Sequence, residues 1–93
     1  MKNLPAIEHV PERSRFQTIV EGKTCVCDYQ LSDGVMQLTH TLVPPPLEGR
    51  GIAAALVEAA LAHARSEGLK VNPICSYVQL YMRRHPETQD LLE

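Results

Sequence analysis

Three consecutive prolines, Pro44, Pro45 and Pro46, divide this chain into two stretches that must fold differently. None of the three carries a backbone N–H, so no central strand or helix interior runs through them. Before them, apolar and polar residues alternate with period two. After them the chain turns alanine-rich, and its apolar residues recur every three or four positions. The pattern is a meander of strands followed by helices around one further strand.

Turn residues punctuate the strand half. The lead-in, residues 1–13, is irregular, and residues 7–10 predict a short edge strand that Pro11 stops. Residues 15–20 predict a second strand, carrying Phe16, Ile19 and Val20. Glu21-Gly22-Lys23 supplies a turn, with Gly22 free to take a positive φ. Residues 24–31 resume as strand, where Cys25, Cys27 and Tyr29 alternate against Val26 and Asp28. Ser32-Asp33-Gly34 is a second turn signal. Residues 35–43 predict a long strand with Met36, Leu38, His40 and Leu42 on one face. Val35, Gln37, Thr39, Thr41 and Val43 fall on the other.

In the second half, residues 51–67 predict a long helix. Ile52, Leu56, Ala59, Ala60 and His63 share a stripe that Val57, Leu61 and Ala64 widen, with Glu58, Arg65 and Glu67 on the wet face. Gly68 is a left-handed stop. Residues 69–74 predict a short strand, and residues 75–84 a second helix packing Tyr77, Val78, Tyr81 and Met82. His85-Pro86 breaks it, and residues 86–92 form a last helical turn opened by proline. A strand reached through a helix pairs in parallel with the strand before it. The fold class is α+β, a mostly antiparallel sheet with one strand–helix–strand crossover and helices packed on it. Residues 1–93 make one domain.

At 93 residues the core is thin, and a bound ligand or pairing as a homodimer would add to its stability. A net charge of −2 argues against a general nucleic-acid binder, as does the scarcity of aromatic stacking residues, one Phe and no Trp. No apolar run approaches the roughly 20 residues needed to cross a bilayer, and the first residues lack a signal peptide's apolar stretch. Three cysteines without framework spacing suit reduced thiols. A soluble cytoplasmic protein, with neither nucleic acid nor membrane as partner, is the expectation.

Gly49 and Gly51 flank Arg50 where the strand half has ended and the long helix begins. A helix start leaves its first N–H groups without intrahelical partners, and these carry partial positive charge. An anion fits there, the glycines let it approach the backbone, and Arg50 adds a full charge. The plain alternative is two glycines that turn a corner. A Walker loop needs Gly-Lys-Ser/Thr, and a dinucleotide loop needs Gly-x-Gly-x-x-Gly after a first strand; neither is present. Arg83-Arg84-His85 could hold a further phosphate or simply complement a helix C-terminus.

The run HTLVPPPLEGRGIA, residues 40–53, followed by LVEAALAHARSEGLKV, resembles the coenzyme-binding segment of the GNAT-like N-acetyltransferases. CSYVQLYMRRHPE, residues 75–87, is similar to the C-terminal signature of that family's small single-domain branch. The resemblance spans roughly residues 16–92. It implies that acetyl-CoA is the cofactor, with its pyrophosphate on Gly49, Arg50, Gly51, Ile52 and Ala53. It places the pantetheine arm along Thr41, Leu42 and Val43 and a coenzyme contact at Tyr81, and Arg84 of the basic cluster is a further candidate contact. It also implies acetyl transfer to an unidentified acceptor, an amine in the larger family, with a non-catalytic coenzyme-binding or protein-interaction module as the alternative. The family's loop pattern is Gln/Arg-x-x-Gly-x-Gly/Ala; Glu48 departs from its first position, while Gly51 and Ala53 match. Leu80-Tyr81 matches a Leu-Tyr pair whose tyrosine can protonate the departing thiolate. His85-Pro86 departs from the usual Gly-Phe. The helices that larger members insert between their first strands have no counterpart here, so the acceptor side is open or completed by a partner.

Three residues carry the candidate chemistry. Cys75 stands at a helix start, which favours the reactive thiolate, and the branch signature also holds a cysteine there. Its roles are acyl acceptor, pocket wall or buried small hydrophobe. His40 could serve Cys75 or an amine as base, or be an ordinary strand histidine. Tyr81 either touches the coenzyme or packs its helix. Cys25 and Cys27 share a face and could be half of a zinc site, but no second ligand pair has matching spacing. No metal is expected.

Overall fold

The alternation upstream of the prolines builds four antiparallel strands: β1 (Glu8–Val10), β2 (Arg15–Val20), β3 (Lys23–Ser32) and β4 (Val35–Leu42). Downstream come α1 (Ile52–Ser66), β5 (Lys70–Pro73) and α2 (Ser76–Arg84). The structure is a computed structural model and describes residues 6–93. The part of the irregular lead-in on residues 1–5 lies outside the described residues. Proline opens each of three short 3-10 turns, Pro11–Arg13, Pro45–Leu47 and Pro86–Leu91. Its missing N–H costs nothing at a first helical position.

The sheet order is β1-β2-β3-β4-β5. The first three pairings are antiparallel, and β4 pairs with β5 in parallel from Val35–Lys70 to Leu38–Pro73. The expected α+β fold with one strand–helix–strand crossover is therefore what forms. Both long hairpins turn on two residues with positive φ, Glu21-Gly22 and Asp33-Gly34, the geometry that matches the twist of paired strands.

Phe16, Cys25, Cys27, Tyr29, Met36, Leu38 and Val71 line the inner face of the sheet. They pack with Ile52, Leu56, Val57, Ala60, Leu61 and Ala64 of α1 and with Val78 and Met82 of α2 in one cluster. Each such large aliphatic residue stabilises the fold by about 1.5–3 kcal/mol through removal from water. The Pro45–Leu47 turn, which strand and helix periodicity do not announce, seats Leu47 fully in this core. The other face of the sheet carries the Arg15–Asp28 ion pair and the exposed Ile19 and Leu42, and no described helix covers it.

One expectation needs correction. His40 and Leu42 do not share a face with Met36 and Leu38. The β3–β4 ladder slips between Asp28–His40 and Tyr29–Leu38, leaving Thr39 as an extra residue on β4. A bulge of this kind inverts the side-chain parity beyond it. His40 and Leu42 thus move to the open face and are exposed, while Thr41, paired with the buried Cys27, joins the inner face. The bulged Thr39 hydroxyl donates to the Asp28 carbonyl at 3.4 Å.

Candidate functional site

Gly51 is the N-cap of α1, in a left-handed conformation with φ 82° and ψ 11°. Gly49 takes φ 84°, so both glycines hold conformations that other residues adopt at a cost. The first helical bond runs from Ala55 N–H to the Gly51 carbonyl at 3.1 Å. The N–H groups of Ile52, Ala53 and Ala54 precede it and have no intrahelical acceptor. Among the described residues no side chain caps this helix end.

A cavity of about 490 Å³ opens onto these amides, lined by the loop, by Thr41, Leu42 and Val43 at the end of β4, and by Tyr77 of α2. Its origin lies in the sheet. β5 parts from β4 after the Leu38–Pro73 pair, and the Leu38 carbonyl then accepts from both Ile74 N–H and Cys75 N–H, at 3.1 and 2.9 Å. His40, Thr41 and Leu42 beyond that point pair with β3 alone. A second cavity of about 440 Å³ runs on between α1 and α2, lined by Glu58, Tyr81, Arg84 and His85 among others. The two share Gly51, Ala54 and Tyr77, so one cleft extends from the β4 edge, past the start of α1, to the end of α2.

Cys75 sits where the strands part, as the N-cap of α2. Its Sγ lies 3.6 Å from Thr41 Oγ1, toward which the thiol donates. Thr41 Oγ1 in turn donates toward Cys27 Sγ at 3.9 Å. Partial burial pushes the Cys75 thiol up, but the backbone N–H of Val78, the Thr41 hydroxyl and further backbone N–H groups outweigh it and hold the thiol below its ordinary value. Cys27 is fully buried, and burial pushes it up to about 11. Two thiols near each other are thus driven in opposite directions, and Cys75 is the one set up to ionise.

The other expected site residues fall in different places. His40, exposed on the far face, is not brought to Cys75. Tyr81 lies about 9 Å further along the α2 axis than Cys75, from six residues of helical rise. It lines the second cavity and stacks on His85 with ring centroids 3.9 Å apart. His85 donates from Nδ1 to the Tyr81 carbonyl at 2.7 Å, a carbonyl being unable to donate. Burial, followed by the charges of Glu58 and Glu87, raises the Tyr81 phenol, so it keeps its proton. Arg84 lines the same cavity. Arg50 lines neither cavity, and its Nη1 donates to Glu21 Oε2 at 2.7 Å. Among the described residues no group of three or more His, Cys, Asp or Glu converges as a metal site requires. No described helix is long and apolar enough to cross a membrane.

Residues 15–91 match the family model of the GCN5-related N-acetyltransferases. The chain belongs to that family. Within it, the chain is 35% identical to mouse Protein NATD1 over 91% of its own length and 80% of the relative's. Human Protein NATD1 is equally similar, with 78% of its length covered, and the zebrafish protein is 31% identical. The solution NMR structure of a GCN5-like protein from Staphylococcus aureus superposes with a TM-score of 0.76. It covers 95% of this chain and 87% of that one at 23% identity, which places the two in one fold. For this GCN5-related chain, Tyr77, Ala54 and Glu58 are cleft residues that the sequence reading missed as such. Spacing carried a signal for the first: Tyr77 and Tyr81 lie four apart on α2 and share a helix face.

Proposed function

We propose that this chain binds acetyl-CoA, or an acyl-CoA close to it, and passes the acyl group to an acceptor, an amine in the first instance. The observation that carries the reading is the uncapped start of α1, opening onto a cavity continuous with the lone edge of β4. The amides of Ile52, Ala53 and Ala54 would take the pyrophosphate. The backbone of Thr41, Leu42 and Val43 would pair with the pantetheine amides, as an added strand does. Tyr81, Arg84 and the second cavity would take other parts of the coenzyme.

Acetyl-CoA supplies an activated carbonyl, and the residues govern what happens to it. Cys75 is the candidate nucleophile. Its thiolate would form a bond to the carbonyl carbon as the carbon–sulfur bond to CoA breaks, and the leaving thiolate would take up a proton. The acceptor amine would then bond to the same carbon as the carbon–sulfur bond to Cys75 breaks, its surplus proton passing to solvent or to the Cys75 thiolate. In a direct transfer Cys75 lines the thioester end instead, and Tyr81, which holds its proton, is the candidate donor to the leaving sulfur. A second reading, a coenzyme-binding module without turnover, is favoured by the displacement of His40, which leaves the Cys75 thiol with Thr41 and backbone amides but no described acid–base side chain bonded to it.

Calorimetry with CoA tests the binding site, and intact mass after acetyl-CoA treatment tests acyl-Cys75. Turnover against a panel of amines, thiols and peptides then separates the two readings. Binding with turnover supports the transferase, binding without turnover supports the module, and no binding removes both.

A further inference from the structure

We propose that the Thr41 hydroxyl is a positioning residue that holds Cys75 as its thiolate, swinging from Cys27 to Cys75 when the Cys75 proton leaves. The inference rests on reading Cys75, which lies beside the cleft-lining Thr41 and Tyr77 without itself lining either cavity, as the reactive thiol.

The geometry sets out a three-member chain. The Cys75 thiol donates toward Thr41 Oγ1, and Thr41 Oγ1 donates toward Cys27 Sγ. A hydroxyl has one proton to give. While Cys75 is protonated, that proton is directed at Cys27, and the Thr41 lone pairs are free to accept from Cys75. Once the half-buried Cys75 gives its proton to solvent, it has nothing to donate, and a negative sulfur faces an oxygen lone pair. Rotation about the Thr41 Cβ–Oγ1 bond turns the proton to the thiolate, and a weak bond to a neutral thiol becomes a charge-assisted one.

Cys27 suits the other end of this motion. It is fully buried, stays protonated near neutrality and does not compete as a second anion. The Val78 N–H, three residues into α2, completes the shell around the Cys75 sulfur. The arrangement depends on the Thr39 bulge. Without that extra residue, Thr41 would point to the open face and Cys75 would lose its side-chain donor.

The test is the pH profile of Cys75 alkylation by iodoacetamide, read by peptide mass, in the wild type and in Thr41→Val, Thr41→Ala and Thr41→Ser. Removing the hydroxyl should move the alkylation midpoint upward and slow labelling at neutral pH by about three- to tenfold, the thiolate fraction changing tenfold per pKa unit. Thr41→Ser should restore the wild-type profile, which a role in packing alone would not do. Thermal melts identify which of Thr41→Val and Thr41→Ala is folded. A folded hydroxyl-free variant with the wild-type midpoint overturns the inference, as does a serine variant that behaves like alanine. Acylation of Cys75 by acetyl-CoA, followed by intact mass, separates the two levels. Acylation with a profile indifferent to Thr41 defeats this inference alone. No acylation, with a wild-type midpoint at the free-thiol value, defeats the reading beneath it as well.

Discussion

Nε2 of His9 lies 2.6 Å from the Tyr29 hydroxyl, and the same imidazole stacks on Phe16 with ring centroids 4.2 Å apart. His63 of α1 approaches it from the helix side at 4.4 Å between centroids. One half-buried ring thus joins β1, β2, β3 and α1.

That cluster predicts acid sensitivity. Burial, followed by His63, lowers the His9 imidazole from its ordinary 6.5, while Glu12 opposes the shift. The folded state therefore favours neutral His9 and binds fewer protons there than the unfolded chain. Its contribution is complete above about pH 6.5 and is lost as pH falls through the lower folded value. The thermal midpoint should drop between about pH 7.5 and pH 5. His9→Phe should flatten that slope, and an unchanged slope in this variant would assign the acid sensitivity elsewhere.

Glu21 and Arg50 form an exposed ion pair, with their side chains 60% and 45% accessible. The pair contributes little to stability, but it fixes where the Arg50 charge sits. If Arg50 turns toward a diphosphate at the start of α1, it must first leave Glu21. Glu21→Gln should therefore strengthen CoA binding modestly, by up to about fivefold. Arg50→Gln should weaken it, and neither should move the melting temperature appreciably. Calorimetry at low salt is the measurement, and affinities unmoved by both changes would place Arg50 outside the site.

The fold was legible in the sequence because its main signals are local. Gly22 and Gly34 mark hairpins, Pro44 to Pro46 end the sheet half, and Ile52, Leu56 and Ala60 repeat at helical spacing. The Thr39 bulge was not legible. Period-two alternation continues through Thr39 and His40 in the sequence, and only the pairing of β4 with β3 shows that one residue is skipped. That single slip is why His40 was expected beside Cys75 and Thr41 was read for its backbone alone. The Arg50–Glu21 contact was equally hidden, because 29 residues separate the partners and the fold brings a hairpin tip to the helix start.

Leu56 joins the inner face of the sheet to both helices and is fully buried. Leu56→Ala removes apolar contact and leaves a space that the surrounding strands and helices fill only partly. The expected loss is about 2–5 kcal/mol, a lowering of the melting temperature by on the order of 10 °C or more. Denaturant unfolding followed by circular dichroism measures it directly. A loss below about 1 kcal/mol would mean that the helix layer closes around the missing side chain.

Gly51 allows the coenzyme site to be separated from the fold by a single charge. Its φ of 82° disfavours most side chains, but a Cβ placed there meets nothing within 4 Å among the described residues. Asparagine and aspartate tolerate the left-handed region better than other residues and are nearly the same size. Gly51→Asn and Gly51→Asp should therefore lose similar stability, and they differ chiefly in one negative charge beside the amides of Ile52 and Ala53. That charge repels an incoming diphosphate and competes with it for the same N–H groups. CoA should bind the aspartate variant at least about tenfold more weakly than the asparagine variant, a difference on the order of 1.4 kcal/mol. Matched calorimetric titrations of the two proteins measure this. Equal affinities would show that the diphosphate does not rest on the start of α1.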